Sequence, residues 1–238
     1  MVKTGKLYLI PVPIGDENPL AMLPQANIDI ARSLTYFIAE DEKTARRNLK
    51  LFGYPALPQA IIAVLNEHTL AENVSTLLAP LLAGNDVGLM SDAGCPGIAD
   101  PGAEVVRLAH TKNIDVLPLV GPSSIVLSIM ASGFNGQNFA FNGYLPVDRN
   151  ERQKRLRELE QYSRKSKQAQ YFIETPYRNE QFFQSMLDGL QADTKLFVGV
   201  NIGAETAVLK TRTIADWKKA NRIHMHKVPV VFGIYAGG

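Results

Sequence analysis

Short apolar runs of about five to seven residues alternate along this chain with longer stretches whose apolar positions recur at helical spacing. Residues 6–10 (KLYLI) are rich in β-formers and stop at Pro11-Val12-Pro13-Ile14-Gly15. A second buried run, 34–39, stops at Glu40-Asp41, and a polar helix is expected over 43–52, closed by Gly53. Strand patterns follow at 61–65, 86–90 and 114–120, with helices expected over 71–83 and 103–111. Beyond Gly121 the rhythm loosens. Strands are expected at 139–145, 169–173, 196–200, 207–213 and 228–235, and helices at 150–162, 179–190 and 214–220. In the 179–190 helix, Phe182, Phe183, Met186, Leu187 and Leu190 share one face. Trp217 is expected to pack the 214–220 helix onto a sheet.

Strands alternating with helices imply a parallel sheet in the first half, and consecutive strands late in the chain imply antiparallel pairing. The fold class is therefore α/β. The change of rhythm puts a boundary near Val120, giving an α/β domain over 1–120 and one with a mixed sheet over 121–238. Length agrees, since 238 residues suit one large domain or two tightly joined smaller ones. Composition mainly excludes. No apolar run approaches the roughly 20 residues of a membrane span, and the N-terminal run halts too early at prolines for a signal peptide. With Cys95 as the single cysteine no intrachain disulfide forms, so a reducing, cytoplasmic location is expected.

Open α/β sheets bind ligands in loops at the carboxyl ends of their strands, and four such loops stand out. The first is 11–15 with Asp16, stiffened by two prolines. The second, SDAGCPGIADPG at 91–102, carries three glycines and two prolines and so brings a rigid backbone close to a ligand. Its length favours a functional loop over an ordinary turn, and Asp92 can accept hydrogen bonds from a ribose or an amine. In the third, Gly121-Pro122-Ser123-Ser124, either serine can cap a helix or touch a ligand. The fourth, Glu174-Thr175-Pro176-Tyr177-Arg178, suits either a polar substrate or a charge pair bracketing a helix start. No metal site is expected: His68, His110, His224 and His226 have no ligand spacing. Cys95 has no evident base beside it and is read as a loop-packing residue. The P-loop lysine, the nucleophile elbow and the dinucleotide glycine fingerprint are missing from the motifs.

Taken in order, LYLIPVPIGD (7–16), FIAED (37–41) with Thr44 and Arg46, SDAGCPGIADPG (91–102), VGPSS (120–124) and ETPYR (174–178) resemble the tetrapyrrole-methylase-like class of S-adenosylmethionine-dependent methyltransferases. Within it they are most similar to the bacterial branch that methylates a ribose 2′-hydroxyl of small-subunit ribosomal RNA. The resemblance implies a two-domain α/β fold, usually a homodimer, with S-adenosylmethionine in the cleft between domains. It implies cofactor contacts at Pro11, Ile14, Ser91, Asp92, Ala93, Ile98, Ser123 and Ser124, and also at Glu174, Asn201 and Ile202. Departures fall on the substrate side. Asp41-Glu42-Lys43 stands for the family's Asp-Thr-Arg, Cys95 for a threonine and Asn201–Glu205 for a basic segment, and the family's C-terminal helical segment is missing from a sequence ending at Gly238.

For transfer to a ribose hydroxyl, Glu40 and Asp41, then Glu174, are the candidate bases. The same carboxylates can instead cap helices or pair with Arg46 and Arg178. Two other functions fit the fold: methylation of a tetrapyrrole-type small molecule, and non-catalytic binding of RNA or a nucleotide. Charge sharpens the choice of partner. The total of +2 divides into −4 over residues 1–120 and +6 over 121–238. Residues 149–167 alone hold eight basic and three acidic side chains. That run is either a solvated helix face or a strip that meets RNA phosphates through Arg152, Arg155 and Arg157, with Tyr177 and Arg178 as further substrate contacts.

Overall fold

The computed structural model describes residues 3–15, 19–65, 75–221 and 223–238. Asp16, His68 and the 71–74 start of the expected 71–83 helix lie outside the described residues. The chain divides into two compact units, Met1–Ser123 and Ser124–Gly238.

In the first unit, strands β1 (Leu7–Ile10), β2 (Tyr36–Ala39), β3 (Ile61–Val64), β4 (Val87–Met90) and β5 (Val116–Pro118) form one sheet in the order β3-β2-β4-β1-β5. Every pairing in it is parallel. A parallel sheet needs cover on both faces, and alternation along the strands provides two cores. Ile10, Phe37 and Met90 pack with Ile28, Ala31, Leu49 and Phe52 on one face. Leu7, Ile38 and Leu89 pack with Leu78, Leu81, Val105 and Ala109 on the other. These partners come from helices α1 (Gln25–Ser33), α2 (Glu42–Leu51), α3 (Ala79–Leu82) and α4 (Gly102–Thr111), with a 3₁₀ turn at Ser75–Leu78. α2 starts where it does because the Asp41 carboxylate accepts the Thr44 amide at 2.7 Å. The sequence pattern did not predict α1, which follows Pro24 without a side-chain cap. Only part of its turns carries apolar residues.

The second unit holds α5 (Ser124–Ser132), β6 (Phe139–Tyr144), α6 (Arg149–Ser166), β7 (Ala169–Ile173), α7 (Asn179–Gly189), β8 (Lys195–Val200), β9 (Val208–Thr213), α8 (Ile214–Trp217) and β10 (Val230–Tyr235). Its sheet runs β6-β7-β10-β8-β9. β6 and β7 are parallel, whereas β10 is antiparallel to both β7 and β8 and β9 is antiparallel to β8. One core joins Phe172, Val198 and Phe232 of the sheet to Leu156 and Leu159 of α6, Phe182 and Met186 of α7, and Trp217 of α8. Phe183 packs against its edge, and the Trp217 indole donates to the Leu196 carbonyl at 2.8 Å. Helix α6 is longer than the pattern suggests. Asp148 caps it, accepting the Asn150 and Glu151 amides at 2.9 Å, and Lys167 ends it in the left-handed conformation at φ 52°. The SIVLSIMAS segment, not predicted as a helix, forms α5 and buries Ser128 and Ser132, which with Ser124 recur every four residues. The buried Tyr171 hydroxyl and the Ser132 hydroxyl, 2.7 Å apart, tie α5 to the sheet.

No helix among the described residues is long and apolar enough to cross a membrane.

Candidate functional site

Parallel pairing brings the carboxyl ends of β2, β4, β1 and β5, four neighbouring strands, to one edge of the first sheet. The loops that leave them are Glu40-Asp41, 91–102, 11–15 and 119–123. They are joined directly. Val12 and Gly94 form a two-way backbone bridge, with amide–carbonyl distances of 2.9 and 3.2 Å. Gly94 adopts φ +73°, which strains any other residue, and a Cβ there would lie in contact with Ile14 and the Pro122 carbonyl, each 3.4 Å away. The Cys95 thiol, held above its ordinary pKa by burial, donates to the Pro122 carbonyl at 3.3 Å. Gly121 lies so close to Pro11 that an added Cβ would fall 2.2 Å from the proline's own. The Asn27 amide of α1 donates to the Val120 carbonyl at 2.7 Å.

Inside the long loop, Asp100 is the organiser. Its carboxylate accepts the Gly97 amide at 2.8 Å and the Gly102 amide at 2.7 Å, fixing the loop where α4 begins. Ala99 is held at φ +62°, a conformation that costs a non-glycine residue about 1 kcal/mol or more. Sequence reading passed over Asp100, although an Asp two residues before a helix-opening glycine is a capping signal. It also passed over Asn27, whose role depends on a partner 93 residues away.

The carboxylates at this edge differ. Glu40 is half-buried and accepts the Asp92 amide at 3.2 Å; burial pushes its pKa up. Asp92 is raised as well, first by desolvation and then by the charge of Asp41. Desolvation likewise raises Asp100, against the three backbone amides it accepts. Asp41 is the opposite case: the Thr44 amide it caps lowers its pKa. Glu40 thus holds a proton more readily than Asp41, whose carboxylate is engaged as a helix cap.

The other predicted site residues sort by burial. Asp92, Ala93 and Ile98 are exposed on the loop, Ile98 by 49%. Pro11 and Ile14 are buried and pack beneath the loops. Ser91 is buried, and its hydroxyl is directed at the carbonyls of Ala93 (3.2 Å) and Gly94 (3.4 Å), so it also shapes the loop. Ser123 ends the first unit half-buried, and Ser124 opens α5, its carbonyl accepting the Ser128 hydroxyl at 2.7 Å.

In the second unit, β7 and β8 flank β10 and run in the same direction. Their outgoing turns, 174–178 and 201–205, therefore lie at one edge of that sheet. Glu174 takes the ion-pair alternative to a free base in this structure. Its side chain is 1% exposed and meets the Arg178 guanidinium at 2.6 Å and the Thr175 amide at 2.6 Å. Arg178 is committed to the same pair. Tyr177 stays open, 72% exposed, with Lys227 Nζ 5.8 Å from its ring centre. Asn201 sits at φ +50° and donates its amide to the Pro229 carbonyl at 3.0 Å, while Ile202 is buried. Arg152 is withdrawn from the basic strip: it is 2% exposed, and its guanidinium donates to the Val147 carbonyl at 2.7 Å and the Ser185 hydroxyl at 3.2 Å. Arg155 and Arg157 are exposed. Among the described residues no group of three or more His, Cys, Asp or Glu side chains is arranged to hold a metal ion.

A parallel five-stranded sheet with a rigid loop rim, joined in sequence to a separate mixed sheet, is the pattern of a two-domain α/β methylase fold. No protein-family model matches the chain. Among curated proteins it is homologous to those named ribosomal RNA small subunit methyltransferase I. The one from Vibrio cholerae serotype O1 is 31% identical over 190 residues, 80% of this chain and 62% of that protein. The one from Xylella fastidiosa is 37% identical over 159 residues, covering 67% of this chain and 56% of that protein. The Pseudomonas aeruginosa protein is 27% identical over 219 residues, 91% and 74% of the two chains. The chain thus spans little more than half the length of several curated relatives it matches.

Proposed function

We propose that this protein is an S-adenosylmethionine-dependent methyltransferase whose acceptor is a ribose 2′-hydroxyl of ribosomal RNA. The observation that carries the reading is the welded rim of strand-end loops in the first unit, in a chain homologous to proteins named for ribosomal RNA methylation. The residues present fit the cofactor. Ile98 offers an exposed apolar surface for an adenine, Asp92 an acceptor for ribose hydroxyls, and the raised carboxyls of Glu40, Asp92 and Asp100 make an acidic edge that favours a sulfonium and an ammonium group. Gly94 and Gly121 keep side chains off the rim.

S-adenosylmethionine supplies an electrophilic methyl group. The chain's own part is to hold the acceptor and remove its proton. Positioning supplies much of the acceleration in such transfers, and Glu40 is the proton acceptor that the site favours. Pro11, Ile14, Ala93, Ser123, Ser124, Asn201 and Ile202 enter the reading as backbone or packing contacts to the cofactor, on the strength of the family resemblance. The same resemblance supports action in the cytoplasm on the small ribosomal subunit, and a homodimer. The 75% exposed Met130, one turn from the exposed Val126 on α5, is the apolar surface that favours self-association.

The test is twofold. Calorimetry should show S-adenosylmethionine binding to the purified protein, and ribose-methylation mapping of ribosomal RNA should lose a mark when the gene is deleted and regain it on complementation. Binding without any lost mark would leave a cofactor-binding protein with another acceptor, and labelled methyl entering a porphyrinoid would identify the tetrapyrrole alternative.

A further inference from the structure

Helix α6 carries a surface that neither the loop rim nor the core uses. At about 100° per residue, Asn150, Lys154, Arg157, Gln161 and Lys165 fall within an arc of about 80°. All five are exposed, and Arg152, Leu156, Leu159, Glu160 and Ser163 are the buried residues of the helix. Arg155 stands about 160° round from Arg157 and pairs with Glu158 at 3.3 Å. The basic run seen in sequence is therefore split by the helix, and only one of its faces forms a continuous stripe. From Lys154 to Lys165 that stripe is about 16 Å long at the helical rise.

The stripe borders recessed ground. Two adjoining grooves, about 410 and 460 Å³, share Arg157 and Gln161 in their linings. The first is completed partly by Gly189, Gln191 and Asp193 at and beyond the end of α7, the second by Asn150, Gln153 and Lys154. Most acids nearby are already engaged, while Glu151, one turn before Lys154 and outside the stripe's arc, makes no ion pair among the described residues. Asp193 holds Arg164 through two contacts of 2.9 Å, Glu158 holds Arg155, and buried Glu160 accepts the Gln191 amide at 2.8 Å and the Thr194 hydroxyl. Lys154, Arg157 and Lys165 make no ion pair among the described residues. Lys154 and Arg157, three residues apart, repel each other, and with Lys165 they leave a net positive stripe that a polyanion relieves.

We propose that the Lys154–Arg157–Gln161–Lys165 stripe of α6 seats the sugar-phosphate backbone of an RNA strand. The assignment rests on the RNA-methylation reading above. Cations meet phosphate oxygens, and the amides of Gln161 and Asn150 add donors between them. Such contacts position a strand without reading its sequence.

The experiment measures binding of a fluorescein-labelled, mixed-sequence single-stranded RNA across a salt series. The proteins compared are the wild type, the triple variant K154Q/R157Q/K165Q and the single variant R155Q. Loss of three phosphate contacts should flatten the slope of log affinity against log salt by about 2 and weaken binding roughly tenfold or more at 0.1 M salt. R155Q should stay within about twofold of wild type, because its cation lies off the stripe and faces a carboxylate. Circular dichroism and S-adenosylmethionine affinity should be the same in all three. A triple variant with the wild-type slope, or an R155Q loss as large as the triple's, overturns the stripe while leaving the methyltransferase reading intact. A wild-type protein that neither binds this RNA nor marks ribosomal RNA overturns both.

Discussion

The two units bring side chains together in different ways. In the first, the residues of interest sit in four loops that are distant in sequence but neighbours at one edge of a parallel sheet, joined by backbone bridges, glycine contacts and a thiol. In the second, the corresponding surface is one side of a single 18-residue helix, set by its turn geometry and by which side the core takes. A loop rim gains precision from tertiary contacts and is sensitive to any change at a joint. A helix stripe is made of independent side chains, each of which acts locally. This contrast suits the proposed division of labour, since methyl transfer needs exact placement whereas phosphate contacts tolerate sliding.

The largest effect is expected at Glu40. Glu40→Gln should keep an acceptor for the Asp92 amide but remove the base, slowing RNA methylation about a hundredfold with cofactor affinity nearly unchanged. An unchanged rate would shift proton removal to another group. The same variant tests the electrostatics. Glu40 has a raised folded pKa, so the folded state binds its proton more tightly than the unfolded chain does. Its contribution to stability is most favourable below the unfolded carboxylate pKa and is lost as pH rises through the folded value. At neutral pH Glu40→Gln should therefore unfold at a slightly higher temperature than wild type, and the gain should vanish in acid.

Gly121→Ala attacks the joint itself. With its Cβ 2.2 Å from that of Pro11, it should lower stability by about 1–3 kcal/mol in urea unfolding and weaken cofactor binding as well. Wild-type values for both would show the rim to be far more pliant than these contacts imply. Arg178→Met probes the second unit by leaving Glu174 without its partner. It should cost about 2 kcal/mol, below the 3–5 kcal/mol of a fully buried pair because Arg178 is partly exposed. Glu174→Gln in that background should recover part of the loss, and failure to do so would mean that the pair matters through packing. Asp100→Ala should be milder, about 1 kcal/mol for the lost bonds to the Gly97 and Gly102 amides, read as a lower melting temperature. It separates the loop's own order from its junction with Pro11.

Local patterns gave much of this architecture. The α/β class, the parallel first sheet, antiparallel pairing in the second and the apolar face of α7 all follow from spacing and turn residues, because those signals lie within a few residues of one another. Helices α1 and α5 escaped for the same reason. One is short and uncapped, the other largely apolar with serines on the face it buries, and each is held by contacts from afar such as Asn27 to Val120 and Ser132 to Tyr171. The site was legible as a set of unusual loops. Its internal roles were not: Asp41 and Glu40 are adjacent in sequence, yet capping lowers the pKa of one and burial raises that of the other.

The sequence by itself determined the strands and the helices other than α1 and α5, that glycine- and proline-rich loops follow the parallel strands, and that residues 149–167 are basic, since these depend on residue type and near neighbours. Only the tertiary structure decided that the four loops meet, that Ser91 and Arg152 turn inward, that Glu174 is consumed by Arg178, and that Lys154, Arg157 and Lys165 share the outer side of α6. Burial and partnership are properties of what folds against a residue, and a linear pattern does not contain them.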